Sequence, residues 1–234
     1  MKKNLLLSTI ALVAGSLLAA DSDDVKNAAK QLAEKGSYSW TTTTESAGGG
    51  GFGGRPSQGK IGKDGIIQVS MARRDTTTEA FLQGTKGVVK TDEGWRSLAD
   101  LAEDQGGGFG GGRFLARRLQ NFKAPAVEAA ELAGQVKELK KEGDAYVGEL
   151  TTEGAKALLS FGGRGGQGPD ISNAKGSVKF WIKDGLLAKY QHHVQGTISF
   201  GGNDRDVDRT TTVEIKDVGT TTVSVPEEAK KKLM

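Results

Sequence analysis

The chain has 234 residues, with 32 Lys and Arg against 29 Asp and Glu, a formal net charge of +3 and no cysteine. Disulfides are excluded, and so is acylation of an N-terminal cysteine. A charge this near balance gives no field to steer polyanions, which argues against nucleic acid as a partner.

Residues 1–20 read as a secretory signal peptide. Lys2 and Lys3 precede an uncharged run from Leu5 to Leu18 that closes on Ala19-Ala20, before the acidic Asp21-Ser22-Asp23-Asp24. The apolar run is too short to span a bilayer, so cleavage near Ala20 is predicted, with no transmembrane span left afterwards. Without Lys2 and Lys3 the formal charge falls from +3 to +1. An exported bacterial protein, periplasmic or secreted, is the expectation, with residues 21–234 forming one domain.

Val25, Ala28, Ala29 and Leu32 repeat at helical spacing, and Gly36 follows, so a helix is predicted over 22–35. Residues 38–45 are aromatic and β-branched, as strands are. The tripeptide Lys-Asp-Gly occurs at 63–65 and again at 183–185, each time between apolar runs. Treated as a three-residue bulged loop, the first pairs Ile61 with Ile67 and Gly59 with Val69. The second then pairs Ile182 with Leu186, Phe180 with Ala188 and Val178 with Tyr190. Segments 74–84 and 86–91 continue an antiparallel meander. The period changes across 97–134, where Leu98, Leu101, Phe114, Leu115, Leu119, Phe122, Val127, Ala130 and Leu132 mark short helices. Strands return at 136–141 and 145–150, and a short helix follows at 152–160.

From Gly176 onward three strands are predicted. Leu186, Ala188, Tyr190, His192, Val194 and Ile198 fall on one face, and Val207, Thr211, Val213 and Ile215 alternate along the last strand. Pro226, Glu227, Glu228 and Lys230 to Lys232 describe a closing helix whose charges complement its dipole. Nothing alternates strand with helix in the βαβ manner, so the fold class is mainly β (α+β) with an antiparallel sheet.

The run Gly176-Ser-Val-Lys-Phe-Trp-Ile-Lys-Asp-Gly-Leu-Leu-Ala-Lys-Tyr, the run Thr212-Val-Glu-Ile-Lys-Asp-Val-Gly, and the early Gly59-Lys-Ile-Gly-Lys-Asp-Gly strands resemble the LolA-like and LppX-like superfamily of periplasmic lipoprotein carriers and lipid-binding proteins. The resemblance implies a curved, incomplete β-barrel with helices in its concave side. It also implies a non-enzymatic role without cofactor, a lipid or other hydrophobic small molecule as ligand, and envelope proteins or lipoproteins as partners. The sequence departs from the family in its Gly-rich stretches, and from the lipid-anchored relatives in lacking Cys.

Other motifs carry less. The Gly/Phe/Arg segments at 48–55, 106–113, 161–168 and 200–205 look like RGG elements, but they are short and scattered in a near-neutral exported chain and read as connections. G-x-G-x-x-G at 106–111 and 163–168 lacks the strand before and helix after that a dinucleotide site needs. His192 and His193 point to opposite faces and cannot share a metal; His192 reads as a core residue. Asp204, Asp206 and Asp208 lack the Gly and Glu of a calcium loop and read as ion-pair partners of Arg205 and Arg209. Arg113, Arg117 and Arg118 form a basic helix side, solvated or facing anionic lipid head groups. Trp181 is expected under lysine stems on the outer face. No catalytic or metal-binding residues are predicted. The candidate ligand-binding residues are Ile61, Ile67, Val69, Met71, Val178, Phe180, Ile182, Leu186, Tyr190, Val213 and Ile215. The competing expectation is an envelope scaffold of the same fold, its concavity filled permanently by its own helices.

Overall fold

The computed structural model describes residues 14–47, 54–73, 76–104, 111–160, 169–200 and 202–233. Eleven antiparallel strands form one sheet: β1 (Tyr38–Ser46), β2 (Gly54–Ile61), β3 (Ile67–Arg73), β4 (Thr76–Gln83), β5 (Lys86–Thr91), β6 (Gly94–Ser97), β7 (Val136–Glu142), β8 (Ala145–Leu150), β9 (Asp170–Lys183), β10 (Leu186–Phe200) and β11 (Asn203–Lys216). Their order is β6-β5-β4-β3-β2-β1-β11-β10-β9-β8-β7. Two meanders therefore meet at the β1–β11 seam, and the sheet stays open at its β6 and β7 edges. It is a curved, incomplete barrel, as expected. The chain must travel from one edge to the other between β6 and β7. It does so through α2 (Leu98–Glu103), α3 (Gly112–Gln120) and α4 (Pro125–Gly134). That crossing carries three helices over one face of the sheet.

Local chemistry sets the ends of these helices. Ser97 and Asp100 form a reciprocal capping box at the start of α2, and Arg96 holds Asp104 through both guanidinium nitrogens at 2.9 and 3.1 Å. Pro125 opens α4, where its missing N–H costs nothing. The first helix, α1 (Ala14–Glu34), begins inside the predicted leader and runs past Ala20 without a break. Its buried residues are those the helical spacing picks out: Val25, Ala28, Ala29 and Leu32. Ser22 and Asp24 fasten it to the Ala133 carbonyl (3.3 Å) and the Tyr146 hydroxyl (2.9 Å). Helices α5 (Thr152–Leu159) and α6 (Glu227–Leu233) complete the set. No helix among the described residues is long and apolar enough to cross a membrane.

The two Lys-Asp-Gly hairpins differ. At 63–65 the expected register holds: Ile61 pairs with Ile67 and Gly59 with Val69, and Gly65 takes a φ of 75°. Gly59 is obligatory here because the Trp40 ring lies where a Cβ would be, 2.0 Å away.

At 183–185 the expected register fails. Asp184 (φ 51°) and Gly185 (φ 75°) make a two-residue turn closed by Lys183 and Leu186, and the extra residue sits further along, at Ala188. The pairs are Ile182–Leu187, Phe180–Tyr190 and Val178–His192. The bulge reverses the alternation, so Leu187, fully buried, joins Tyr190 on the core face. Leu186 pairs with exposed Lys183 on the other face and does not belong with the concave-face residues. Leu187→Ala should therefore cost about 2–5 kcal/mol, and Leu186→Ala under about 1 kcal/mol, by chemical denaturation. The reverse ranking would restore the three-residue loop.

Strand β6 was not anticipated. It is four residues long, and Gly94 (φ 102°) makes the turn that feeds it. The Gly-rich segments lie largely outside the described residues, but their ends belong to regular structure: Gly54 begins β2, Gly112 begins α3 and Asn203 begins β11.

The apolar side chains form three clusters. Two lie on the helix-covered concave face and meet at Phe122 and Ile67. The third, on the convex side, packs Phe81, Val88 and Trp95 against Ala229 and Leu233 of α6.

Candidate functional site

The concave face brings together nearly all the residues expected to line a hollow. Val178, Phe180, Tyr190 and Val213 are buried in the larger cluster, with Ile61, Ile182 and Ile215 packed against it. Val69 lies in the neighbouring cluster with Met71 against it, and Ile67 touches both. Leu186 is the exception. Leu187, Tyr38, Trp40 and Val194 join the face instead. Leu187 escaped the sequence reading because two adjacent leucines give alternation nothing to choose between.

The hollow is lidded. Helices α1, α4 and α5 cover the larger cluster through Leu32, Leu132 and Leu159, while α2 and α3 cover the smaller one through Leu98, Leu101 and Leu119. Phe122, in the α3–α4 connection, stacks on Trp40 with ring centroids 6.1 Å apart. Where the two halves of the lid meet, a cleft of about 50 Å³ opens between Ile67, Leu82, Leu98, Leu119 and Phe122, with Lys86 at its exposed side. Sites for drug-sized ligands run to roughly 300–1,000 Å³. In this closed arrangement the cleft has no room for an acyl chain.

One carboxylate reaches into the apolar layer. Glu128 of α4 accepts a hydrogen bond of 2.5 Å from the Tyr190 hydroxyl, and the Tyr38 hydroxyl accepts one of 3.4 Å from the Ala126 N–H. Both bonds tie α4 to the sheet. Burial raises the Glu128 carboxyl above the usual range, against the opposing pull of Tyr190 and Lys123. Burial likewise pushes Tyr38 up to about 12. An acid raised in the fold contributes stability that is full below its ordinary value of 4.5 and is lost as pH rises through its folded value. Glu128→Gln keeps an acceptor for Tyr190 and should abolish that loss. Glu128→Ala strands the hydroxyl and should cost about 1–3 kcal/mol. Equal thermal-melt profiles for the two variants across pH would refute the latch.

Along β1, β10 and β11 the hollow changes character. Past Val213 the concave positions become Thr211 and Arg209, and past Trp40 they become Thr42 and Thr44. Thr211 pairs with both Thr44 and His192, and the two threonine hydroxyls lie 3.2 Å apart. His192 is buried, as expected, but its Nδ1 has no hydrogen-bond partner among the described residues. Burial, then the charge of Arg209, lowers its pKa to about 4. Arg209 donates to the Leu158 carbonyl of α5, and burial followed by the Arg118 charge lowers its own pKa.

The outer face is different in kind. Asp208 accepts from Gln195 at 2.5 Å and sits 2.8 Å from His193, Asp206 accepts from Thr197, and Asp204 accepts from Ser199. Each of the three carboxylates thus has a cross-strand partner on β10. Trp181 lies on this face, with the Lys189 ammonium 5.1 Å above its ring.

No protein-family model matches the sequence, and no curated protein does. Among solved structures the chain is similar to the lipoprotein LppX of Mycobacterium tuberculosis, at 13% identity over 88% of this chain and 98% of that one, with a TM-score of 0.51. A looser likeness to LprF from Mycobacterium bovis has 12% identity over 90% and 98% of the two chains and a TM-score of 0.43, too low to carry an argument. The chain shares the fold of LppX. At 13% identity the likeness is one of architecture alone.

Proposed function

We propose that this chain is an exported, non-enzymatic binding protein that shelters a lipid or acyl chain between the concave sheet face and the helices crossing it. The observation that carries the reading is the make-up of the lid. The core side of α4 is Pro125, Ala126, Ala129, Leu132 and Ala133, mostly one-carbon side chains, in the same buried cluster as Phe180, Tyr190 and Val213 of the sheet. Each sheltered methylene contributes about 0.8 kcal/mol, so an acyl chain that replaced those alanines would more than offset their burial. The α3–α4 connection and its plug, Phe122, form the element that moves. Export rests on the leader at 1–20. Cleavage near Ala20 leaves Val25, Ala28, Ala29 and Leu32 of α1 in place, and 21–234 remains one domain.

The second reading, an envelope scaffold with a permanently filled concavity, draws support from the small cleft of about 50 Å³. Tryptophan fluorescence separates the two. The chain has three tryptophans, and Trp95 and Trp181 lie on the convex and outer faces. In a Trp95→Phe/Trp181→Phe variant, Trp40 reports on the hollow alone. Saturable change in its emission on titration with hexadecanol supports the carrier; an unresponsive Trp40 in a folded protein supports the scaffold.

A further inference from the structure

The lid is built in two pieces. Helix α1 packs against α4 over the larger cluster, and α2 against α3 over the smaller one. Ile67 of the sheet and Phe122 of the lid belong to both clusters and mark the seam. The pieces are held differently. Helix α4 is tied to the sheet by the Glu128–Tyr190 and Ala126–Tyr38 hydrogen bonds and to α1 by Ser22. Helix α3 meets the sheet through Leu115, Ala116 and Leu119, and such non-directional contacts let it tilt more readily than α4. The cleft of about 50 Å³ lies on this seam, between Leu119 and Gln120 at the end of α3 and Leu82 and exposed Thr85 of the β4–β5 hairpin. Gly87 draws its rim tight, since a Cβ there would meet Leu98 at 2.6 Å and Leu82 at 2.7 Å. Behind the cleft Phe122 stacks on Trp40, and Trp40 adjoins Tyr38 with ring centroids 5.8 Å apart, in the cluster of Tyr190 and Phe180. An apolar line thus runs from the cleft to the hollow, and Phe122 stands across it.

We infer that this cleft is the port through which an acyl chain enters and leaves the hollow, with Phe122 as its gate and α3 as the part of the lid that yields. The inference rests on the carrier reading and deepens it: α4 stays on the sheet while the tail passes between α3 and the β4–β5 hairpin. A tail in the port touches Ile67, Leu82, Leu98 and Leu119, so it is sheltered from water before Phe122 turns off Trp40. Phe122 sits in the short connection 121–124, so a tilt of α3 carries the ring with it.

The chain has no cysteine, so a thiol pair can be placed at chosen positions. In the Trp95→Phe/Trp181→Phe background, Gln120→Cys and Thr85→Cys are joined by a bis-maleimide with a cleavable disulfide spacer. Trp40 emission is then followed after mixing with hexadecanol. The staple should slow uptake at least about tenfold, and reductive cleavage of the spacer should restore the rate. The same staple on Lys137→Cys/Glu149→Cys, across β7 and β8 at the sheet's other edge, should leave the rate unchanged. Phe122→Ala needs no staple and should speed uptake about three- to tenfold, the factor an aromatic stack contributes. Three results would each overturn the port and leave the hollow intact: undiminished uptake by the stapled cleft, equal slowing by the β7–β8 staple, or an unaltered rate in Phe122→Ala. A Trp40 that does not respond in the unstapled chain would overturn the carrier reading and the port together.

Discussion

Phe180→Ala should destabilise the protein by about 3–5 kcal/mol, which corresponds to a fall in melting temperature of roughly 6–20 °C. Phe180 is fully buried towards the C-terminal end of β9, stacked on Tyr190 with ring centroids 6.4 Å apart and opposite it in the ladder. It shares its buried cluster with Leu32 of α1, Leu132 of α4 and Leu159 of α5. Alanine there removes a ring whose volume the packed sheet and helices around it cannot refill. The void is apolar and stays dry, so a small hydrophobe should recover part of the loss. In a carrier the same change enlarges the hollow, and the variant should retain hexadecanol binding despite its lower stability. A fall below about 1 kcal/mol in urea denaturation would mean that Phe180 does not sit under the helices.

Acidification should produce the second large effect. Burial and the Arg209 charge hold His192 at about 4, against an ordinary value of 6.5. A base depressed in the fold contributes stability that is full above 6.5 and is lost as pH falls toward 4, by about 3 kcal/mol once both states are protonated. Glu128 has the opposite slope, since its raised carboxyl favours lower pH. The native profile is the sum of the two, and His192→Leu isolates the first. Equilibrium unfolding between pH 7 and pH 4 should show the native chain losing more stability than His192→Leu. Parallel profiles would contradict the burial of the neutral imidazole.

The sequence was most legible where chemistry is local. Apolar spacing identified the buried face of α1, turn residues divided the meander, and the change of period across 97–134 marked the helices there. The repeated tripeptide marks the limit. At 63–65, Ile66 faces the convex cluster and Ile67 the concave one, so either neighbour is satisfied whichever way it points. At 183–185 the next residues are Leu186 and Leu187, and only the packing of Leu187 beside Phe180 and Tyr190 selects the two-residue turn with its later bulge. No pattern in the strand itself could have announced Ala188 as the extra residue.

The polar part of the site was illegible for a related reason. Glu128 and Tyr190 are 62 residues apart, and their hydrogen bond exists because the β6–β7 connection crosses the sheet. Arg209 stands next to Asp208 in sequence and reads as its ion-pair partner. Alternation instead sends Asp208 outward to His193 and Gln195 and Arg209 inward toward α5. That single parity step distinguishes a surface charge pair from a cation on the concave face.

The central claim is that the concave face holds an acyl chain in exchange for the contacts its lid makes when empty. Organic extraction of the protein purified from its native envelope, followed by mass spectrometry, tests it most directly. The account predicts one long-chain lipid per protein molecule, lost on extraction and its site refilled by hexadecanol. Repeated extracts free of lipid, from protein whose Trp40 also ignores both palmitate and hexadecanol, would contradict it and leave the permanently filled scaffold.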